Sequence, residues 1–345
     1  MSGGLDSTVA ALLLLEAGFD VTGATMSLGI HQQSSVPGRF TDEPIEDARR
    51  VCSLLGIPHL VFECAQLMEE KVIRTFIAEY LRGRTPNPCV DCNRHLKFGE
   101  LVCQARLLDF DYVATGHYAR ILPGQDGKQL LFRAADEVKD QSYFLYGIKK
   151  DDLDHLLFPL GELTKEQARK IALTAGLPVA QRTESQDICF VPDGDYRQVF
   201  SQRRISFPGG KIVDQSGTIL GEHRGIAEYT IGQRSGLRIS APSPLYVLSI
   251  DARSNTVVVG AKEDLFANGL VASDLNLLAD NWPGVAQAKI RYRKKPAPCR
   301  LSLHEDKLTV HFSEAQEAVT PGQSVVFYDG DRVLGGGAIE SVIVG

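Results

Sequence analysis

The chain has 345 residues, 43% of them hydrophobic and 23% charged, with a net charge of −6. That length calls for two or three domains with substantial cores, and no apolar run approaches the roughly 20 residues that span a bilayer. With no leader before the first helix, a cytoplasmic protein without a membrane is expected, and the acidic total argues against a dedicated nucleic-acid coat but leaves room for a local basic surface.

In chain order, the periodicity predicts a helix over Ser7–Ala17, a strand over Asp20–Leu28, a helix over Glu43–Leu55 and a strand over His59–Cys64. Helical patterns follow over Leu67–Arg82 and Arg94–Leu108. DYVATGHYA, Asp111–Ala119, reads as a buried strand ending in a Gly-His turn. TKEQARKIALTAGL, Thr164–Leu177, reads as a helix with a threonine cap. Strands alternating with helices imply a parallel sheet covered on both faces. After Phe200 the texture turns to short β runs split by Gly and Asn turns, and YDGDRVLGG signals a hairpin. The expected architecture is α/β: a Rossmann-like nucleotide-binding domain over 1–205, a small central module over 206–262 and a C-terminal β-barrel over 263–345.

The first motif is SGGLDST, Ser2–Thr8. Two glycines let a backbone approach an anion, and the hydroxyls and helix N-terminus point at the same place. The Gly-Lys-Ser/Thr of a Walker loop is missing, which favours pyrophosphate release over γ-phosphoryl transfer. The bland alternative is a Gly-Gly turn capped by Asp6 or Ser7. The second motif is TPNPCVDCNRHLKF, Thr85–Phe98. Pro86 and Pro88 are expected to keep Cys89 and Cys92 on a stiff loop before a helix starting near Asn93, where a thiol's pKa is lowered. Cys189 is expected in a short apolar strand, ICFV, while Cys52, Cys64, Cys103 and Cys299 read as core. Closely spaced cysteines in a long chain point to metal binding or catalysis rather than to a disulfide framework.

SGGLDST resembles the PP-loop of the ATP pyrophosphatases. Together with the NP-x-x-x-CN stretch, ATGHYA, KDQSYFLY and ICF, in that order, it makes the chain similar to the bacterial and mitochondrial tRNA-specific 2-thiouridylases. The resemblance runs from Ser2 almost to Gly345, through GEHRGIAEYTIGQRSGL and TPGQSVVFYDGDRVLGGGAIES. In that superfamily the loop follows a first strand; no residue precedes Met1 to form one, so a start upstream of Met1 is expected.

The resemblance implies ATP binding by Ser2, Gly3, Gly4, Leu5, Asp6 and Ser7, with Met26 and Gly116 at the adenine. It implies tRNA contacts at Asn87, Pro88, Cys89, His117, Lys139, Asp140, Gln141, Arg291 and Tyr292. Cys92 falls on the family's nucleophile and Cys189 on its persulfide carrier. ATP would adenylate O2 of the wobble uridine of a tRNA, and sulfur from Cys189 would replace it, Cys92 releasing it through a Cys92–Cys189 disulfide. Mg²⁺ is expected as a cofactor with Asp6 as its candidate ligand, and the sulfur donor would be a sulfur-carrier protein, a cysteine desulfurase or sulfide. A monomer is expected.

Two positions depart from the family's pattern. Many members carry Asp at Cys89, so the three thiols Cys89, Cys92 and Cys189 also suit a [4Fe–4S] cluster with an open iron; the persulfide relay and the cluster stay open alternatives. Ser341 stands where relatives often place a glutamine near the tRNA. The basic runs Arg197–Arg204 and Arg291–Lys295, with Arg84, would follow a tRNA backbone, and base flipping is expected. Two rival readings are another PP-loop adenylating enzyme of the amidotransferase or synthetase type, which leaves Cys89 and Cys92 without a task, and a non-catalytic tRNA-binding relative.

Overall fold

A computed structural model describes residues 1–30, 32–33, 40–41, 43–181, 188–191 and 194–344. The chain divides into two compact units: Met1–Val72 with Cys89–Phe190 and Asp331–Val333, and Ile73–Pro88 with Val191–Gly330 and Leu334–Gly345.

The first unit is α/β. The opening helix, Leu5–Glu16, buries Leu5, Val9 and Ala10 against Val51 of the helix Glu43–Leu55 and against the helix Lys165–Thr174. The last of these presents Ala168 and Ala172, both fully buried, so two helix axes approach closely over small side chains. Its start is fixed by a capping box: Gln167 N–H donates to Thr164 Oγ1 at 3.2 Å, and Thr164 N–H donates to Gln167 Oε1 at 2.7 Å. The strands Gly23–Ser27 and His59–Glu63 pair in parallel, from Gly23 opposite His59 to Ser27 opposite Glu63. A second parallel pair joins Val113–Ala114 to Leu156–Leu157. Thr25, buried in the first pair, donates its hydroxyl proton to Met1 O at 2.8 Å and stands 2.7 Å from His59 Nε2.

Three expectations need correction. The stretch 111–119 forms only the short strand Val113–Ala114, and a separate hairpin, Ala119–Pro123 with Gln129–Arg133, follows. The residues between bend so that Gly116 can reach the opening loop. The segment 188–191 is a turn, not a strand: Phe190 and Val191 are buried without a ladder partner, while Cys189 faces out. A run of four apolar residues satisfies burial in either form, which periodicity cannot separate. The helix after the proline loop begins at Pro88, five residues earlier than expected. Proline is tolerated in the first helical turn because its missing N–H would be unpaired there anyway. From Cys92 to Glu100 that run is π-helical before returning to α over Leu101–Leu107.

The second unit is mostly β. The central module is a four-stranded sheet in the order Ile219–His223, Gly210–Val213, Thr256–Gly260, Tyr246–Asp251, closed on Ile212, Tyr229, Val247, Val257 and Val259. The C-terminal strands run Phe266–Leu277, Lys307–Glu317, Ala297–His304, Val285–Lys289, Ser324–Asp329 and Arg332–Ile343, and the last pairs back with the first. This six-strand barrel buries Leu270, Leu308, Val310, Val325, Phe327 and Ile339, and the anticipated hairpin turns at Gly330 with φ +56°. No helix among the described residues is long and apolar enough to cross a membrane.

Leu270, with no exposed surface, sits in the middle of the barrel core. Leu270→Ala is expected to cost about 2–5 kcal/mol in urea unfolding followed by the barrel's tryptophan, Trp282, whereas Leu303→Ala on the outer face should cost well under about 1 kcal/mol.

Candidate active site

The opening loop binds itself through its hydroxyls and two of its backbone donors: Ser2 N–H donates to Ser7 Oγ at 3.2 Å and Gly4 N–H to Ser2 Oγ at 3.4 Å. Gly3 has φ +68°, and a Cβ there would lie 2.6 Å from Asp47 Cβ and 2.9 Å from Ala48 N, so both conformation and space demand glycine. Ser2 Oγ lies 3.1 Å from Ser7 Oγ, and Thr8 Oγ1 donates to Gly4 O at 2.7 Å. Gly4 opens the helix with no side chain bonded to its first-turn N–H groups. Unclaimed N–H groups at the positive end of a 12-residue helix suit an anion.

Two distant segments close on this loop. A Cβ on Gly116 would lie 2.6 Å from Asp6 C, so backbone meets backbone. Tyr118, two residues on, donates its phenol proton to Asp6 Oδ1 at 3.0 Å. Lys165 Nζ donates to both Asp6 oxygens, at 2.7 and 2.8 Å. Lys165 reaches because it shares a helix face with Ala168 and Ala172, the residues packed toward the opening helix. Met26 lies half-buried in the strand Gly23–Ser27, opposite Phe62.

The thiols form a second centre in the same unit. Burial pushes both Cys89 and Cys92 up from the ordinary thiol range, and the Lys97 ammonium pulls each back down. The helix-terminus expectation of lowered thiols is therefore overturned, because desolvation of the charged form outweighs the dipole. Cys189 faces outward, yet the protein crowding its sulfur pushes it up to about 12, first by burial and then through Cys92 and Cys89. The three sulfurs thus share one electrostatic neighbourhood. All seven cysteines are free thiols. Cys103, expected in the core, is exposed, on the opposite side of its helix from buried Val102 and Ala105. Among the described residues no group of three or more His, Cys, Asp or Glu is gathered to hold a metal ion.

His117 joins the two centres. It is packed between the rings of Phe98 and Phe158, and its pKa lies well below the ordinary histidine value through burial, with Lys97 adding to the effect. The imidazole is therefore neutral. Lys97 Nζ, which can only donate, lies 3.5 Å from Nε2, so the proton belongs on Nδ1, 2.8 Å from Thr115 Oγ1. Asn93, buried beside Cys92, donates from Nδ2 to Phe144 O at 3.0 Å, while its Oδ1 is buried without a partner.

Of the residues expected on tRNA, several are engaged inside the protein. Asp140 is buried and accepts from Ala134 N, Ser142 N and Ser142 Oγ. Gln141 Oε1 accepts from Tyr118 N at 2.9 Å, and Lys139 is half-buried beside them. In the second unit Arg291 Nη2 donates to Ile231 O, Ala318 O and Thr320 Oγ1, tying the central module to the barrel. Lys289 Nζ lies 5.5 Å from the Tyr292 ring. Asn87 is half-buried and Pro88 buried, just after Thr85 and Pro86, whose carbonyls accept from Gln323 Nε2. Arg84 pairs with Glu79 at 2.7 Å and Arg197 with Asp195 at 2.6 Å, whereas Arg204 and Lys295 are exposed. An open groove of about 480 Å³ carries Arg234 and Arg238 on the central module.

Sequence reasoning missed Lys165, Tyr118 and Lys97. The cap that sets Lys165 is visible in TKEQ, but its 159-residue reach to Asp6 is tertiary. Lys97 depends on a π register that no periodicity announces.

Residues 1–193 match the family model described as tRNA methyl transferase HUP domain, 198–261 the tRNA methyl transferase PRC-barrel domain and 267–339 the aminomethyltransferase beta-barrel domain. The chain is 52% identical over 343 residues to tRNA-specific 2-thiouridylase MnmA 1 of Syntrophus aciditrophicus, covering 99% of this chain and 92% of that one. It is 49% identical to MnmA of Carboxydothermus hydrogenoformans, covering 99% and 96%, and 48% identical to that of Moorella thermoacetica, covering 99% and 98%. With three consecutive domains and nearly the whole length matched, the chain belongs to the tRNA-specific 2-thiouridylase family.

Proposed function

We propose that the protein is an ATP-dependent tRNA sulfurtransferase that converts the wobble uridine to 2-thiouridine. The observation that carries this reading is the convergence of Cys189 on Cys92 within one unit that also holds the phosphate-ready opening loop. The first-turn N–H groups of the opening helix would hold the ATP phosphates, with Met26 and Gly116 toward the adenine. Uridine O2 attacks the α-phosphorus and pyrophosphate leaves, so that a poor oxygen leaving group becomes AMP. The terminal sulfur of a Cys189 persulfide then attacks C2 and AMP departs. Cys92 thiolate attacks the Cys189 sulfur, a Cys92–Cys189 disulfide forms, and 2-thiouridine is released. An external dithiol restores both thiols by taking up the disulfide's oxidation, and a persulfide donor passes its terminal sulfur to Cys189, leaving as the thiol.

Asp6 supplies one hard oxygen beside the phosphate site, and Mg²⁺ commonly takes one or two carboxylates with phosphates and waters completing its shell. The residues present fit that need. Bound there, the ion would offset phosphate charge. The Lys97 ammonium favours the thiolate that Cys92 must become, and the neutral His117 beside Lys97 adds no second buried charge.

Anaerobic thiolation of unmodified tRNA with a persulfide donor, a cysteine desulfurase supplied with cysteine, followed by mass spectrometry, tests the relay. Cys92→Ser and Cys189→Ser should each lose on the order of 10³-fold or more, with Cys89→Ser near wild type. Loss in all three, with iron bound to the wild type, would replace the relay by a cluster. Absence of 2-thiouridine in the wild type would sink the assignment.

Because Cys92 sits above its ordinary range, it is a thiol at neutral pH, and its alkylation by iodoacetamide should rise about tenfold per pH unit from 7 to 9. Lys97→Met removes the cation that lowers it, so alkylation at pH 8 should slow several-fold. An unchanged rate would mean that Lys97 does not reach the sulfur.

A further inference from the structure

The Asp6 carboxylate, the only acid in the opening loop, is already engaged. Lys165 Nζ bridges both its oxygens at 2.7 and 2.8 Å, and the Tyr118 phenol donates to Oδ1 at 3.0 Å. The ammonium also lies 5.8 Å from the Tyr118 ring centre. Lys165's side chain is 12% exposed and Asp6's 35%, so the pair lies at the edge of the loop and not deep in the core. Its base is rigid: Thr164 caps the helix and Lys165 N–H donates to Asp136 Oδ2 at 3.0 Å. Only the four-carbon stem can swing.

Loop stability alone is a weak reason for such a pair. The loop is already held by the Ser2, Ser7 and Thr8 hydroxyls, and a half-buried ion pair contributes little net stability. What the loop lacks is a cation. A triphosphate brings several negative charges, a helix N-terminus answers with about half of one, and the Walker lysine is missing from SGGLDST. Lys165 brings an ammonium to the same place from another helix.

Resting on the ATP reading of the loop, we propose that Lys165 is the phosphate-binding cation of this site, stored on Asp6 in the nucleotide-free protein and transferred to the phosphates when nucleotide binds. Asp6 is thereby released to the metal that accompanies ATP. Tyr118 is a positioning residue that keeps the carboxylate aimed after the ammonium leaves. No bond is made or broken; one ion pair is exchanged for two.

Calorimetric binding of a non-hydrolysable ATP analogue, with and without Mg²⁺, tests this on the full chain. Lys165→Met should weaken binding on the order of 10- to 100-fold, the scale of one lost charge-assisted contact, with Lys165→Arg recovering part of it. Asp6→Asn frees the ammonium, so metal-free binding should tighten several-fold while the gain on adding Mg²⁺ disappears. A purely structural pair predicts the opposite sign, weaker binding in Asp6→Asn with or without metal. Leu270→Ala in the barrel core serves as the folding control: it should lower the melting temperature yet leave affinity near wild type. If Lys165→Met binds the analogue as the wild type does, or Asp6→Asn weakens metal-free binding, the exchange is overturned and the ATP reading stands. If the wild type itself fails to bind, the ATP reading falls and the exchange with it.

Discussion

The contact of Gly116 with the backbone of Asp6 is the constraint on which the site depends. A methyl group at 116 would stand 2.6 Å from a backbone carbon, so the chain there must come in bare. That approach breaks what would otherwise be one long strand into Val113–Ala114 and Ala119–Pro123. In the interval it sets three side chains: Thr115 against His117, His117 toward Lys97, and Tyr118 toward Asp6. One backbone apposition thus aligns the loop read as nucleotide-binding with the helix that carries Cys92.

A second tension runs through the thiols. Burial shields a sulfur atom from water but disfavours its thiolate, and here burial wins at Cys89, Cys92 and Cys189 alike. Lys97 is the counterweight at all three, while His117 stays uncharged beside it. A charged imidazole would repel the ammonium; a neutral one can accept from it.

Much of the architecture was legible because its signals are local. The parallel α/β beginning, the capped helix after Thr164 and the Gly330 hairpin follow from periodicity, caps and turn residues. SGGLDST and the ordered cysteines carried the family resemblance. What was illegible depends on tertiary packing. ICFV could bury two apolar side chains without pairing, Pro88 could start a helix as well as forbid one, and Cys103 could face water from an apolar-looking helix. The largest error was electrostatic: a helix terminus suggested lowered thiols, but no sequence pattern reveals how much protein surrounds a sulfur atom. Arg291 makes the same point, since a basic run says nothing of whether a guanidinium faces outward or, as here, joins Ile231 to Ala318 and Thr320.

The π-helical stretch from Cys92 to Glu100 has an evolutionary and engineering consequence. Such a segment is in effect an α-helix carrying extra residues, and each residue advances an α-helix by about 100°. Removing one residue between Cys92 and Lys97 would leave the composition almost intact and let the segment relax into ordinary helix. It would also turn the lysine's face by about that angle away from the sulfur. Length, and not only residue identity, is therefore under constraint here. A homologous stretch one residue shorter would need its cation one position further along.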